Sequence, residues 1–231
     1  MTEAEYLDHF RQIANDIDSA LAVFHAAEEI DRLEREDESV RRCLYADARF
    51  WKMQRASLQS SLFMILGQLF DSRKGMLSVS RLLDETVEYA GYFSKEALAA
   101  RKMAGGPKPD WLDDRITEAW VPDRTVLAKL KQALKPHEER AEVYRQIRHK
   151  CYAHRPLKNE PSVWELFQQT DKKTLGETIG FLCDLRFAIF QFYYDGMEPK
   201  LDERSRQYDG EEVRQSVRSV FQKLAQASNA G

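Results

Sequence analysis

The chain has 231 residues, 43% hydrophobic and 32% charged, with only 10 glycines and 7 prolines. That balance excludes a disordered or low-complexity protein and predicts one packed, helix-rich domain with decorations. Thirty-five Lys and Arg against 38 Asp and Glu give a formal net charge of −3. This excludes the general basic field that drives sequence-independent binding to duplex DNA, so a contact with nucleic acid has to be local.

In chain order, Tyr6, Phe10, Ile13, Ile17, Leu21, Phe24 and Ile30 recur at the three-and-four spacing of one helix face, predicting a first long helix from Glu3 to about Arg35. After "EDES" a second stripe, Leu44, Ala48, Trp51, Arg55, Leu58, Leu62, Ile65 and Leu69, predicts a helix from about Val40 to Phe70 that pairs with the first as a hairpin. "FDSRKG" ends it. "SVSRLLDETVEYAG" reads as a short helix capped by Ser78 or Ser80, and "SKEALAARKM" as another. The Gly- and Pro-rich "AGGPKPD", Ala104 to Asp110, is a loop between two helical halves. Pro122 and Asp123 open a long helix to about Ala153, in which Pro136 predicts a kink or a break. Pro156 disfavours helical backbone at Arg155, so this helix is expected to stop at about His154. "NEPSVWELFQQT" predicts a short capped helix. Thr174 to Met197 is apolar almost all round and is placed at the centre of a bundle, and Gly210 to Ala227 is expected to be a polar surface helix. No alternating segment reads as a strand, so the fold class is all-α: a helical domain over residues 1–200 and a C-terminal appendage over 201–231.

Cys43, Cys151 and Cys183 lie far apart and form no CxxC pair, which predicts reduced thiols in a cytoplasmic protein. "MTEAEYLDHF" lacks the layout of a signal peptide, and the apolar stretches are too short, or broken by Asp184 and Arg186, to span a bilayer. No export and no membrane partner are expected. There is no GxxxxGK[ST], GxGxxG, HExxH or GxSxG, and none of the five histidines has a Glu three residues before it. Neither a cofactor nor a metal site is expected. The four Trp and twelve Phe sit on apolar faces and read as core.

One window stands against the acidic balance: "RQIRHKCYAHRPLK", Arg145 to Lys158, holds five Lys or Arg, two His and no acid. An imidazole moves a proton near neutral pH and a guanidinium binds two phosphate oxygens at once, so Arg148 and His154 suit phosphodiester cleavage in RNA, whose 2′-hydroxyl supplies the nucleophile. Around an ideal helix the two lie some 120° apart and about 9 Å along the axis. To meet on one phosphate they need a loosened helix end, which Pro156 encourages, or a second copy of the motif across a dimer, and the dimer is the favoured arrangement, with the helix end also loosened. Two blander readings stay open here: a basic helix C-terminus that complements the helix dipole, and a Tyr152 that is packed instead of stacking a base.

"IRHKCYAHR" resembles the R-x4-6-H motif of the HEPN superfamily, with Arg148, the polar His149, five intervening residues and His154. "FWKMQRASLQSSLFMILGQLFDSRK" followed by "SVSRLLDE" is similar to the N-terminal region of AbiU-type abortive-infection HEPN proteins, and the likeness covers residues 1 to 200. The resemblance implies a metal-independent endoribonuclease acting as a homodimer in phage defence or a toxin–antitoxin system. Arg148 would stabilise the phosphorane and His154 would be the general acid or base. Arg145, His149, Lys150, Tyr152 and Arg155 are the expected RNA-binding residues, and an antitoxin or regulatory protein is a further expected partner. Pro156 stands where nucleotidyltransferase-regulated relatives carry a Tyr, which argues against that regulation. Asp71 is a candidate to orient Arg148 or His154. The alternatives are a non-catalytic HEPN-like module that binds RNA, nucleotide or a protein partner, and a purely structural dimerising scaffold.

Overall fold

Thr2 starts the chain's first helix by accepting a hydrogen bond from Glu5 N–H while the Glu5 carboxylate takes that of Thr2, a reciprocal cap. The structure, a computed structural model, describes residues 1–103, 106–153, 163–198 and 210–229, with backbone alone for 151–153, 163–164 and 227–229. Helix α1 runs from Glu3 to Glu36 and buries Tyr6, Phe10, Ile13, Ile17, Ala20, Phe24, Ile30 and Leu33 along one face. Asp37 ends it and caps α2, Glu38–Ala46, by accepting from Ser39 and Val40 N–H. The single second helix expected from the sequence is two: α2 stops at Asp47 and α3 runs from Ala48 to Leu69. The Asp47 backbone leaves the helical region there, at φ −117°, ψ 43°, and its side chain makes no capping hydrogen bond.

Ser78 caps α4, Val79–Glu88. A 3₁₀ turn at Ala90–Phe93 leads to α5, Lys95–Met103, and α6, Leu112–Glu118. Asp123 caps α7, Arg124–Arg140. The helix continues through Pro136 without a break, and the interruption comes at Ala141, followed by α8, Glu142–Ile147, and a π-helical segment, Arg148–Ala153. Helix α9 is Val163–Gln168, and α10 is Lys172–Phe190, capped by Asp171 and prolonged by a π turn to Asp195. Helix α11 is Glu211–Asn229.

The fold is an all-α bundle in which α1 packs along α3, α4, α10 and α11, α3 packs on α8, and α4 on α7. One apolar core joins α1, α3, α4, α7, α8 and α10, and α10 contributes Leu175, Ile179, Leu182, Leu185, Ala188 and Ile189 to it. Arg101 fastens the N-terminal end: Nη1 donates to Glu3 and to the Tyr92 carbonyl, Nη2 to the Tyr193 carbonyl, and the guanidinium lies 3.9 Å over the Tyr193 ring.

The C-terminal helix, expected to be a polar surface element, buries Phe221 in a second cluster with Ile30, Leu33, Val40 and Leu44. Trp51 stacks on Phe221 at 5.0 Å, and Arg218 donates to Glu29 at 2.6 Å. Glu29 is only 1% exposed and also accepts from Arg32, and these two guanidiniums, Arg32 first, hold its carboxyl down at about 2. Gly210 leads into α11 at φ 66°, where a Cβ would come within 2.0 Å of the His25 ring. Among the described residues no helix is long and apolar enough to cross a membrane.

Candidate functional site at the end of the basic helix

Ala141, Tyr144 and Ile147 recur on the face of α8 that is buried against α3, with the Tyr144 ring stacked on Phe63 at 5.7 Å. Burial pushes the Tyr144 phenol up to about 12, so it stays neutral packing material. Arg148 follows Tyr144 by one turn and therefore points to the same side, onto the C-terminal end of α3. There Gly67 admits it: a Cβ at Gly67 would stand 2.9 Å from Arg148 Cδ and 3.0 Å from its Cβ. Glycine inside a helix costs up to about 1 kcal/mol relative to alanine, and here it makes room for a guanidinium stem.

The Arg148 head is fixed through one nitrogen. Nη1 donates to the Gly67 carbonyl at 3.1 Å and to Asp71 Oδ2 at 3.0 Å. Asp71 is 7% exposed and is itself organised by Arg73, which donates its backbone N–H at 3.0 Å and its side chain through Nε and Nη2, the latter at 2.6 Å. Arg73 first, and Arg148 after it, hold the Asp71 carboxyl down at about 2 against the opposing effect of burial. Arg145 braces the turn after α3, donating Nη1 to Ser72 Oγ at 2.8 Å and to the Phe70 carbonyl at 3.4 Å while Nη2 pairs with Glu142. Gln146 donates to the other Glu142 oxygen at 3.0 Å.

These residues line a cavity of about 500 Å³ together with His149 and Lys150. Among the described lining residues four Lys or Arg face two carboxylates, Asp71 and Glu142. The described lining thus has more positive than negative side chains beside a partly anchored guanidinium, a chemistry suited to an anionic oxygen group. The backbone from Arg148 to Ala153 is π-helical, wider than a regular helix end, and such wide turns concentrate at functional sites.

The structure brings together Arg145, Arg148, His149, Lys150 and Asp71. Tyr152 lies in the π segment with its backbone alone described, and His154 and Arg155 lie outside the described residues. Among the described residues no three His, Cys, Asp or Glu side chains gather as a metal site.

The model of the HEPN_AbiU2 family (AbiU2) matches residues 3–189. The chain belongs to this HEPN family. Searches of curated proteins and of solved structures gave no match. The matched span takes in the whole bundle from α1 to the last full turn of α10, and with it every described residue of the cavity, while α11 follows it.

Gly67, Ser72, Arg73, Glu142 and Gln146 complete the site in this HEPN chain and were not singled out from its sequence. A signal existed for two of them. A glycine in the middle of "FMILGQLF" weakens an otherwise strong helix and so asks for a packing reason. An Asp two residues before an Arg at a helix end is the local pattern in which the carboxylate takes the backbone N–H two positions on, as Asp71 does from Arg73. Glu142 and Gln146 are ordinary helix-surface residues in the sequence, and only the packing of α8 on α3 gives them a place.

Proposed function

We propose that this HEPN protein is a metal-independent endoribonuclease of the abortive-infection kind, serving phage defence or a toxin–antitoxin system, in which Arg148 and His154 act in a cleft composed from two copies of the chain. The observation that carries the reading is the Arg148 guanidinium, anchored on Asp71 and the Gly67 carbonyl through Nη1 alone at the wall of a cation-rich cavity. In this reading the RNA 2′-hydroxyl attacks the adjacent phosphorus, Arg148 binds the non-bridging oxygens as charge grows on them, and an imidazole moves the proton. The 5′-oxygen leaves with a proton, and a 2′,3′-cyclic phosphate remains. His149 and Lys150 would hold the strand beside the scissile phosphate.

The test is cleavage of mixed single-stranded RNA and tRNA in EDTA by wild type, Arg148→Ala and His154→Ala, with the product ends analysed. Cleavage by wild type alone, leaving cyclic phosphate ends, is the expected result. Uncut RNA that wild type nevertheless retains would replace this reading with a non-catalytic binding module. That second reading has its own support, since the Asp71 carboxylate already compensates part of the Arg148 charge.

A further inference from the structure

The corner between α2 and α3 has a surface the cavity does not use. Between Val40 and Ala56 stand five Lys or Arg and a single acid, Asp47, in a chain whose net charge is −3. Arg41 and Arg55, near the two ends of this stretch, are paired with Glu38 and with Asp31 and Glu34. Arg42, Arg49 and Lys52 are exposed and, among the described residues, make no ion pair. Beside them three large apolar side chains face water: Tyr45 at 67%, Phe50 at 49% and Met53 at 56% exposure.

Helical spacing groups these residues. Arg49 and Lys52, Phe50 and Met53, and Arg42 and Tyr45 are each three apart, one turn along a helix face. The platform is also firm. The Phe50 ring meets Trp51 edge-on at 5.3 Å, Trp51 stacks on Phe221, and Phe221 is buried among Ile30, Leu33, Val40 and Leu44. Exposed rings interleaved with cations that pair with no carboxylate among the described residues suit a polyanion with unpaired bases: rings stack bases without regard to sequence, and the cations neutralise phosphates.

We propose that the α2–α3 corner is a second binding surface for single-stranded RNA, with Tyr45 and Phe50 stacking bases and Arg42, Arg49 and Lys52 contacting phosphates. Helix α3 separates it from the cavity. Eighteen residues from Arg49 to Gly67, at about 1.5 Å each, put the corner roughly 27 Å along the helix from the catalytic candidate. A strand long enough to touch both gains affinity at the corner and chemistry at the cavity. The inference takes its ligand from the function proposed above, but it concerns binding alone.

The test uses the full chain in an Arg148→Ala, His154→Ala background that leaves RNA uncut, with fluorescence anisotropy on a 24-nucleotide pyrimidine single strand across a salt series. Tyr45→Ala with Phe50→Ala is expected to weaken binding about tenfold or more. Arg42→Gln with Arg49→Gln and Lys52→Gln is expected to weaken it and to reduce the slope of log K against log salt by about 2. All five side chains are exposed, so circular dichroism should match the parent. Unchanged affinity in both variants would overturn the proposal, as would equal affinity of the parent for a duplex of the same length. Loss of self-association by light scattering with RNA affinity intact would overturn it in favour of a protein–protein face. Wild-type cleavage with unaltered binding by the corner variants removes this inference and leaves the nuclease reading standing. Corner-dependent binding without wild-type cleavage does the reverse.

Discussion

Arg148 reaches Asp71 across 77 residues of sequence, Nη1 lying 3.0 Å from Oδ2. The same carboxylate holds Arg73 through three side-chain contacts and a backbone N–H, so one buried acid sets the position of two guanidiniums at the rim of one cavity. In the proposed nuclease Asp71 is a positioning residue, reaching RNA only through the arginines it orients.

Asp71→Asn keeps the shape and removes the charge. Cleavage is expected to fall about 10- to 100-fold, and stability by about 1 to 3 kcal/mol, because two guanidiniums lose a charged acceptor. Steady-state cleavage with a urea melt on the same preparation checks both. Unaltered cleavage would show that Arg148 needs no help from Asp71.

Gly67→Ala separates activity from stability. The added methyl collides with the Arg148 stem at 2.9 Å and crowds the Tyr144 carbonyl at 3.2 Å, while the alanine itself favours helix by up to about 1 kcal/mol. The melting temperature is expected to move by only a few degrees and cleavage to drop at least tenfold. Wild-type cleavage by this variant would mean that Arg148 need not lie where the structure puts it.

Glu29 predicts an acid-labile link between α1 and α11. Its carboxyl is held at about 2 against an ordinary 4.5, so the stability it contributes is fully present above about pH 4.5 and is lost as pH falls through 2. Allowing for solvent screening, the contribution is about 1 to 2 kcal/mol. Urea midpoints taken from pH 5 to pH 2 should fall less steeply in Glu29→Gln than in wild type, and parallel curves would count against the link.

Phe221→Ala removes the ring that joins α11 to Trp51, to Ile30 and Leu33 of α1 and to Val40 and Leu44 of α2. Large-to-small changes at such a site cost about 3 to 5 kcal/mol, here spent mostly on releasing one helix. Hydrogen exchange should speed up in α11 and stay slow in α10. Uniform acceleration throughout the chain would show that the second cluster is part of one cooperative unit.

Sequence alone determined the fold class and most helix positions. The stripe from Tyr6 to Ile30, the caps at Ser78 and Asp123, and the all-round apolar run that became α10 are local patterns, because a helix's buried face repeats within its own turns. Arg148, His149 and Lys150 of the basic window line one cavity. Tertiary structure decided the rest. The break at Asp47 and the π turn at Arg148 are not written in the apolar periodicity, and the burial of Phe221 in a helix that reads as polar answers to packing partners distant in sequence. Most of all, the meeting of Arg148 with Gly67, Asp71 and Arg73 depends on α8 lying across the end of α3, a contact between segments about 80 residues apart that no local periodicity encodes.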